Sequence, residues 1–377
     1  MKITIISTFF PYPRRGHYYG SERYIENLAI HLKKLGHEIK IVTTYWNGGN
    51  RHDNYKGIPI LRVYDSRALI GNFGSKIFLD YITFGLNLYR NKNFKFYKDS
   101  DIIILKNAIP FTRFFKIKRI PLIYVFFHLK PSGYLNSYER NLFKQHKNII
   151  AISNPSKTAL MKAFGLKGKN IKVIPIGIDE KRFIPSNRSK KIKEKYGNNI
   201  LLYSGLMLLR KRIPILLKAM TYVIKEIPDT HLILTGSGPF LNDYKNLAKS
   251  LGIQKNTTFL GFLGDKELVK YYASSDIFVL PSVLEGFGQV LLEAMASGTP
   301  VICTNKPPMS EIIGDGGLTF EEDDSEDLAQ KIIYLLRNRD ILARLKQNAL
   351  KKAMTYKWSE IAKFYNNYLK NILKLQY

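Results

Sequence analysis

The chain has 377 residues, enough for about two domains of ~100–200 residues each, and its 45% hydrophobic content can build two cores. A single cysteine, Cys303, excludes a disulfide framework and points to a reducing setting. The formal charge of +29 is uneven, with 32 Lys and Arg against 11 Asp and Glu up to residue 183 and 27 against 19 beyond it. Such a surface favours anionic partners, although a Lys-rich proteome bias gives the same number. No arginine-rich arm, zinc-finger spacing or aromatic RNA-binding signature accompanies the charge, so nucleic acid is not the expected partner.

The N-terminal run Met1–Phe10 meets Pro11 and Pro13 and has no small-residue cleavage site, so it reads as a first buried strand rather than a signal peptide. No run approaches the ~18 apolar residues of a membrane span. The expected setting is cytoplasmic, with a peripheral position at the cytoplasmic membrane face left open.

The first half alternates strand and helix. Strands are expected at Lys2–Thr8, Glu38–Thr44, Asp101–Leu105, Leu122–Phe127, Asn148–Ile152 and Lys172–Ile176. A helix is expected over Ser21–Leu35, with Tyr24, Leu28, Leu32 and Leu35 on one face and Gly36 as its stop. Between Ser75 and Lys98 an apolar stripe, Ile77, Tyr81, Phe84 and Leu88, ends in Arg90, Lys92, Lys95 and Lys98. Both a core-facing helix and one lying on a membrane surface fit that pattern.

The second half repeats the scheme. Strands are expected at Asn199–Ser204, His231–Thr235, Thr257–Leu260, Ile277–Pro281 and Val301–Cys303, and helices at Pro214–Glu226, Leu241–Leu251, Glu267–Ser274 and Gly288–Ala296. Ser100-Asp101 before Ile102–Leu105 echoes Ser275-Asp276 before Ile277–Leu280. Strands alternating with helices imply parallel sheets with helices on both faces. The predicted layout is an N-terminal Rossmann-like domain over 1–183, a second over 184–357, and an amphipathic helix over 358–377 that could pack back on the first. Ligands of such sheets bind at the carboxyl ends of strands.

The most informative stretch is Glu285-Gly286-Phe287-Gly288, continuing to Glu293. An apolar strand precedes it and Gly298-Thr299-Pro300 closes the helix that follows. A helix start beside glycines attracts an anion, typically a phosphate. A carboxylate on each side suits a ligand with hydroxyls on both sides of its phosphate, such as a nucleotide sugar. Two solvated carboxylates favoured by the helix dipole are the plainer alternative.

This stretch resembles the retaining glycosyltransferases of family 4, which have the GT-B fold and a glutamate, seven residues and a second glutamate. The resemblance covers nearly the whole chain. Tyr19-Gly20-Ser21 is similar to the family's glycine-bearing loop before the first helix, with Tyr19 where a glycine is usual. Val173–Asp179 with Phe183 is similar to the link into the second domain. Gly236-Ser237-Gly238 and Gly261-Phe262 fall where the family has similar stretches. The resemblance implies that Glu285 meets the donor sugar, that Glu293 binds the ribose, and that the Phe287 and Gly288 amides approach the sugar or the diphosphate. After the strand ending at Ser204-Gly205, Leu206 stands where the family has an arginine. Lys211 keeps the lysine position and Arg212 replaces the next glycine, so Arg210 or Arg212 is the candidate substitute. His128, at the end of Leu122–Phe127, resembles a histidine near the donor sugar; a packed or capping histidine is the other reading.

Two other motifs carry less. Gly236-Ser237-Gly238 lacks the third glycine and the acidic residue of a dinucleotide fingerprint. Asp99-Ser100-Asp101 is similar to a metal-binding pair but precedes a buried strand, which favours turn chemistry. No His/Cys/Asp cluster suggests a metal, and no cofactor is expected besides the nucleotide-sugar substrate. The resulting expectation is a hexosyltransferase acting with retention on a glycan or lipid-linked acceptor, bound by the basic first domain. The alternatives are a non-catalytic nucleotide-sugar or polyanion binder, and a sugar-phosphate synthase or phosphorylase with a soluble acceptor.

Overall fold

The computed structural model describes residues 1–8, 10, 20–45, 49–64, 77–88, 90–106, 120–127, 143–144, 147–166 and 171–375. The chain forms two compact units, one made of Met1–Gly177 with Trp358–Tyr377 and the other of Ile178–Lys357. The border therefore lies at Gly177, upstream of the turn at Pro185–Asn187 that suggested it, and the C-terminal helix belongs to the first unit. With this border the first unit has 33 Lys and Arg against 10 Asp and Glu, net +23, and the second 26 against 20, net +6.

The first unit's strands are β1 Lys2–Ser7, β2 Glu38–Thr44, β3 His52–Tyr55, β4 Ile58–Val63, β5 Ile102–Lys106, β6 Leu122–Phe126, β7 Asn148–Ala151 and β8 Ile171–Val173. They form one sheet in the order β3-β4-β2-β1-β5-β6-β7-β8. All neighbours are parallel except β3 and β4. Sequence alone missed this hairpin, because His52-Asp53-Asn54-Tyr55 is a polar edge strand without an apolar run. The helix Gly20–Lys34 buries Tyr24, Leu28 and Leu32, whereas Leu35 lies past its end and is exposed. The stripe near residue 80 divides into helices Ile77–Leu88 and Asn91–Tyr97. Phe84 and Leu88 sit in the hydrophobic core with Val42, Leu61 and Tyr97, so that face is core-facing. Among the described residues no helix is long and apolar enough to cross a membrane.

The C-terminal helix Trp358–Lys374 packs its apolar face on the helix Gly20–Lys34. The Tyr24 and Tyr365 hydroxyls bond to each other, His37 Nε2 meets Asn366 Oδ1 at 2.8 Å, and Trp358 packs against Tyr24. Burial pushes both tyrosine hydroxyls well above their ordinary pKa.

The second unit holds β9 Asn199–Ser204, β10 Thr230–Thr235, β11 Thr257–Gly261, β12 Ile277–Leu280, β13 Val301–Thr304 and β14 Gly317–Phe320, in the order β11-β10-β9-β12-β13-β14. All neighbours are parallel. Strand order runs outward one way from β9 and then reverses at β12. Ligands bind at this switch point in open α/β sheets. Cys303 is fully buried in β13, where burial pushes its thiol up to about 12.

The Ser-Asp echo has a structural meaning. The Asp101 carboxylate accepts the Lys2 N–H at 2.7 Å while the Asp101 N–H donates to Lys2 O. Asp276 exchanges the same two bonds with Ile200, the carboxylate bond being 2.8 Å. In each unit the aspartate before the strand beyond the switch point ties down the beginning of the first strand. Asp99 pairs with Lys40 at 3.0 Å and with Lys2 at 3.6 Å. The 99–101 stretch is thus strand-start chemistry.

Candidate active site

Four glycines, Gly205, Gly236, Gly238 and Gly261, shape the carboxyl edge of the second sheet. A Cβ at Gly236 would lie 1.9 Å from Gly205 O, and one at Gly238 would lie 2.5 Å from Met207 O. The loops after β9 and β10 therefore run in direct backbone contact. They are joined by Gly205 N–H to Thr235 O at 3.1 Å and Met207 N–H to Ser237 O at 2.9 Å. Gly236 N–H in turn donates to Gly261 O at 2.7 Å, extending the contact to the end of β11. Gly261 has φ +68°, a conformation open to glycine, and Phe262 beyond it is exposed.

Across the switch point, the loop after β9 meets the loop after β12. Val283 N–H donates to Arg210 O at 3.2 Å, and Arg210 Nη1 donates to Leu284 O at 2.9 Å. Lys211 closes a short helical turn, Leu209–Lys211, and its buried ammonium donates to Glu285 Oε1. Arg210 Nη1 lies 3.6 Å from Glu285 Oε2. Burial pushes the Glu285 carboxyl up, but Lys211 and then Arg210 outweigh it and hold it below the ordinary carboxylate range. Arg212 turns away: its backbone is left-handed at φ +51° and its guanidinium pairs with Asp323 at 3.0 Å. Of the two candidate substitutes at Leu206, Arg210 stands at Glu285 and Arg212 does not.

The helix Gln289–Ala296 starts behind left-handed Gly288, at φ +91°, with no side chain capping it. Leu291 N–H turns back to Gly288 O at 2.9 Å, which leaves the Gln289 and Val290 amides as the donors that a helix start presents to anions. Phe287 is buried, its ring edge-on to Tyr356 at 6.0 Å, so its side chain anchors the loop and only its backbone can face a ligand. Glu293 is buried one turn further on. Tyr272 OH donates to its Oε2 at 2.9 Å and Gln289 Nε2 reaches its Oε1 at 3.4 Å. Tyr272 escaped the sequence reading because its helix, Asp265–Ser274, shows only periodicity; the partner is set by packing.

Glu285, Lys211, Arg210, Gly286, Gly288, Gly205, Gly236, Gly261 and Glu293 thus lie along one sheet edge. Gly20 opens the first helix of the other unit. His128 lies outside the described residues, as does Tyr19. Among the described residues no group of three or more His, Cys, Asp or Glu could hold a metal ion.

Two family descriptions divide the chain between them: Glycosyltransferase Family 4 matches residues 18–182 and Glycosyl transferases group 1 matches residues 186–352. The chain belongs to the family 4 glycosyltransferases. Mannosylfructose-phosphate synthase of Agrobacterium fabrum is 29% identical over 240 residues, 60% of this chain and 53% of that one. This chain thus matches only about half the length of that relative. Alpha-monoglucosyldiacylglycerol synthase of Streptococcus pneumoniae is 26% identical over 347 residues, 83% of this chain and 74% of that one. Among solved structures, sucrose-phosphate synthase of Thermosynechococcus elongatus has a TM-score of 0.82 at 19% identity, over 99% of both chains. HepE of Anabaena, in complex with UDP and glucose, has a TM-score of 0.78 at 22% identity, over 98% of this chain and 100% of that one. At such identities these likenesses carry the fold, two parallel-sheet α/β units of the GT-B type.

Proposed function

We propose that this family member transfers a hexose, with retention, from a nucleotide-diphosphate sugar to a hydroxyl of a glycan or lipid-linked acceptor. The observation that supports it best is the buried Lys211–Glu285 pair at the switch point, flanked by Arg210 and by an uncapped helix start. A bound diphosphate would share Lys211 and Arg210 with Glu285, leaving carboxylate oxygens to accept from sugar hydroxyls. Glu293, steadied by Tyr272, would accept from the ribose. In the step itself the acceptor oxygen bonds to the anomeric carbon on the face that the diphosphate leaves. The bond from that carbon to the phosphate oxygen breaks, and the acceptor proton passes to the departing phosphate. Fixed cations stabilise the charge that develops there, typically the largest catalytic term, and positioning supplies the rest.

The first unit's net +23 supports an acceptor on an anionic membrane surface. A soluble sugar-phosphate acceptor is the second reading, favoured by the similarity to mannosylfructose-phosphate synthase. Thermal shifts with a panel of nucleotide sugars and diphosphates test the donor, since a ligand stabilises what it binds by mass action. Slow release of nucleotide diphosphate from the recognised donor, abolished in Glu285→Ala, is expected of an enzyme; binding without release in the intact protein would leave the non-catalytic reading. Co-sedimentation with phosphatidylglycerol vesicles separates the two acceptor classes: absence of binding at low salt overturns the membrane one.

A further inference from the structure

At the opposite, amino-terminal edge of the second sheet lies a cavity of about 310 Å³. It opens beside the beginnings of β12 and β13, and Arg188, Lys193, Asp276, Lys346 and Gln347 line it together with Gly298. Its size is near the lower end of the ~300–1,000 Å³ typical of ligand pockets, too small for a nucleotide sugar.

The charges around it do not balance. Asp276 is already engaged by the Ile200 N–H at 2.8 Å and Lys193 Nζ at 2.5 Å. Lys346 Nζ stands 3.8 Å from the other carboxylate oxygen, beyond hydrogen-bond distance. Arg188 is an exposed residue whose guanidinium has no acceptor among the described residues. Three cations thus face one carboxylate. Burial pushes Lys346 below the ordinary lysine value; Asp276 opposes that, and Lys193, Arg188 and Arg339 push it further down. The fold does not need these cations at this corner. Asp101 makes the same two backbone bonds in the first unit with no ion pair among the described residues.

We propose that this cavity is a second anion site, which binds a small phosphate-bearing molecule, inorganic phosphate or a monosaccharide phosphate, through Arg188 and Lys346. A phosphate seated there accepts charge-assisted hydrogen bonds from both and completes the neutralisation that Asp276 alone does not.

The test is calorimetric titration of the full chain with inorganic phosphate and, separately, glucose 6-phosphate. Saturable binding is expected from at least one, and which of the two binds tighter identifies the source. Arg188→Gln/Lys346→Gln should weaken it by about tenfold or more, since hydrogen bonds to charged groups contribute ~1.5–3 kcal/mol. Gln347→Glu, an exposed change that leaves the fold's contacts alone, should weaken it several-fold by repulsion, and keeps the test open should the double variant not fold. Lys211→Met, at the other edge of the sheet, should leave it unchanged. The proposal is overturned by the lack of saturable binding, by unchanged affinity in Gln347→Glu and the folded double variant, or by loss of binding in Lys211→Met shown to be folded. That last result would place the phosphate at the candidate active site instead.

Discussion

The two sheets fasten their switch points with the same residue and surround it differently. Asp101 and Asp276 each hold the start of the first strand by two backbone bonds. Around Asp101 the neighbouring lysines pair with Asp99, near the surface. Around Asp276 the Lys193 ammonium pairs with the aspartate itself, and at the far end of the same strand pair a buried cation, Lys211, meets Glu285. The first sheet has a buried cation at its carboxyl edge too, Lys106, whose ammonium lies over the Phe127 ring at 3.7 Å. What both units share is what the fold requires. The Lys211–Glu285 pair at the second unit's switch point is the part a ligand explains.

The largest effect should come from separating the two demands at Lys211. Lys211→Met leaves a buried carboxylate without its main partner, which costs about 3–5 kcal/mol. It should also lower the rate of sugar transfer or donor hydrolysis by ~10²–10³-fold, as removal of one preorganised charge stabiliser does. Adding Glu285→Leu should recover much of the stability, read by urea unfolding, and none of the activity. Recovery of activity with stability would mean the pair is only structural. The pH arm has a definite sign. Because the Glu285 carboxyl is held below its unfolded value, it adds stability above that value, and loses it as pH falls through the folded one. In Lys211→Met burial is opposed only by Arg210, so acid should destabilise the variant less than the wild type.

Much of this edge could be read from residues alone, and the reason is local. The strands β9, β10 and β12 are short apolar runs ended by glycine, proline or serine. The glutamate spacing fixes where a helix must start. What escaped depended on contacts distant in sequence or on backbone twist. Tyr272 reaches Glu293 from another helix, and left-handed Arg212 points its guanidinium at Asp323. β14 and the helices Ser325–Arg337 and Arg339–Met354 were passed over. The first of those helices carried a usable signal: Asp324 accepts the Glu326 and Asp327 N–H groups at 2.9 Å as an N-cap.

A smaller effect tests the glycine contact. Gly236→Ala sets a methyl against Gly205 O at a φ of +123°, so the loops after β9 and β10 must part. Overpacking of this kind costs ~1–3 kcal/mol, and nucleotide affinity should fall with it. Stability lost with affinity intact would show that the loops do not shape the site. The paired aspartates come next. Asp276→Ala strands a buried N–H and the Lys193 ammonium and should cost ~1–3 kcal/mol. Asp101→Ala frees only an exposed N–H and should cost clearly less. Equal costs by thermal unfolding would erase the distinction between the two corners.

The smallest predicted change is Tyr272→Phe, and it asks whether Glu293 is held for the ligand or for the fold. The hydroxyl's bond to Glu293 Oε2 is buried, and its loss should cost about 1 kcal/mol of stability. Gln289 still reaches the other oxygen, so the carboxylate is not abandoned. A carboxylate freed of one donor can swing between rotamers, and the ribose must then immobilise it on binding. Nucleoside diphosphate affinity should therefore drop by about three- to tenfold, in line with ~1 kcal/mol, with the rate at saturating donor little changed. A fall in that rate with affinity preserved would instead tie Glu293 to the reacting sugar and remove it from the ribose.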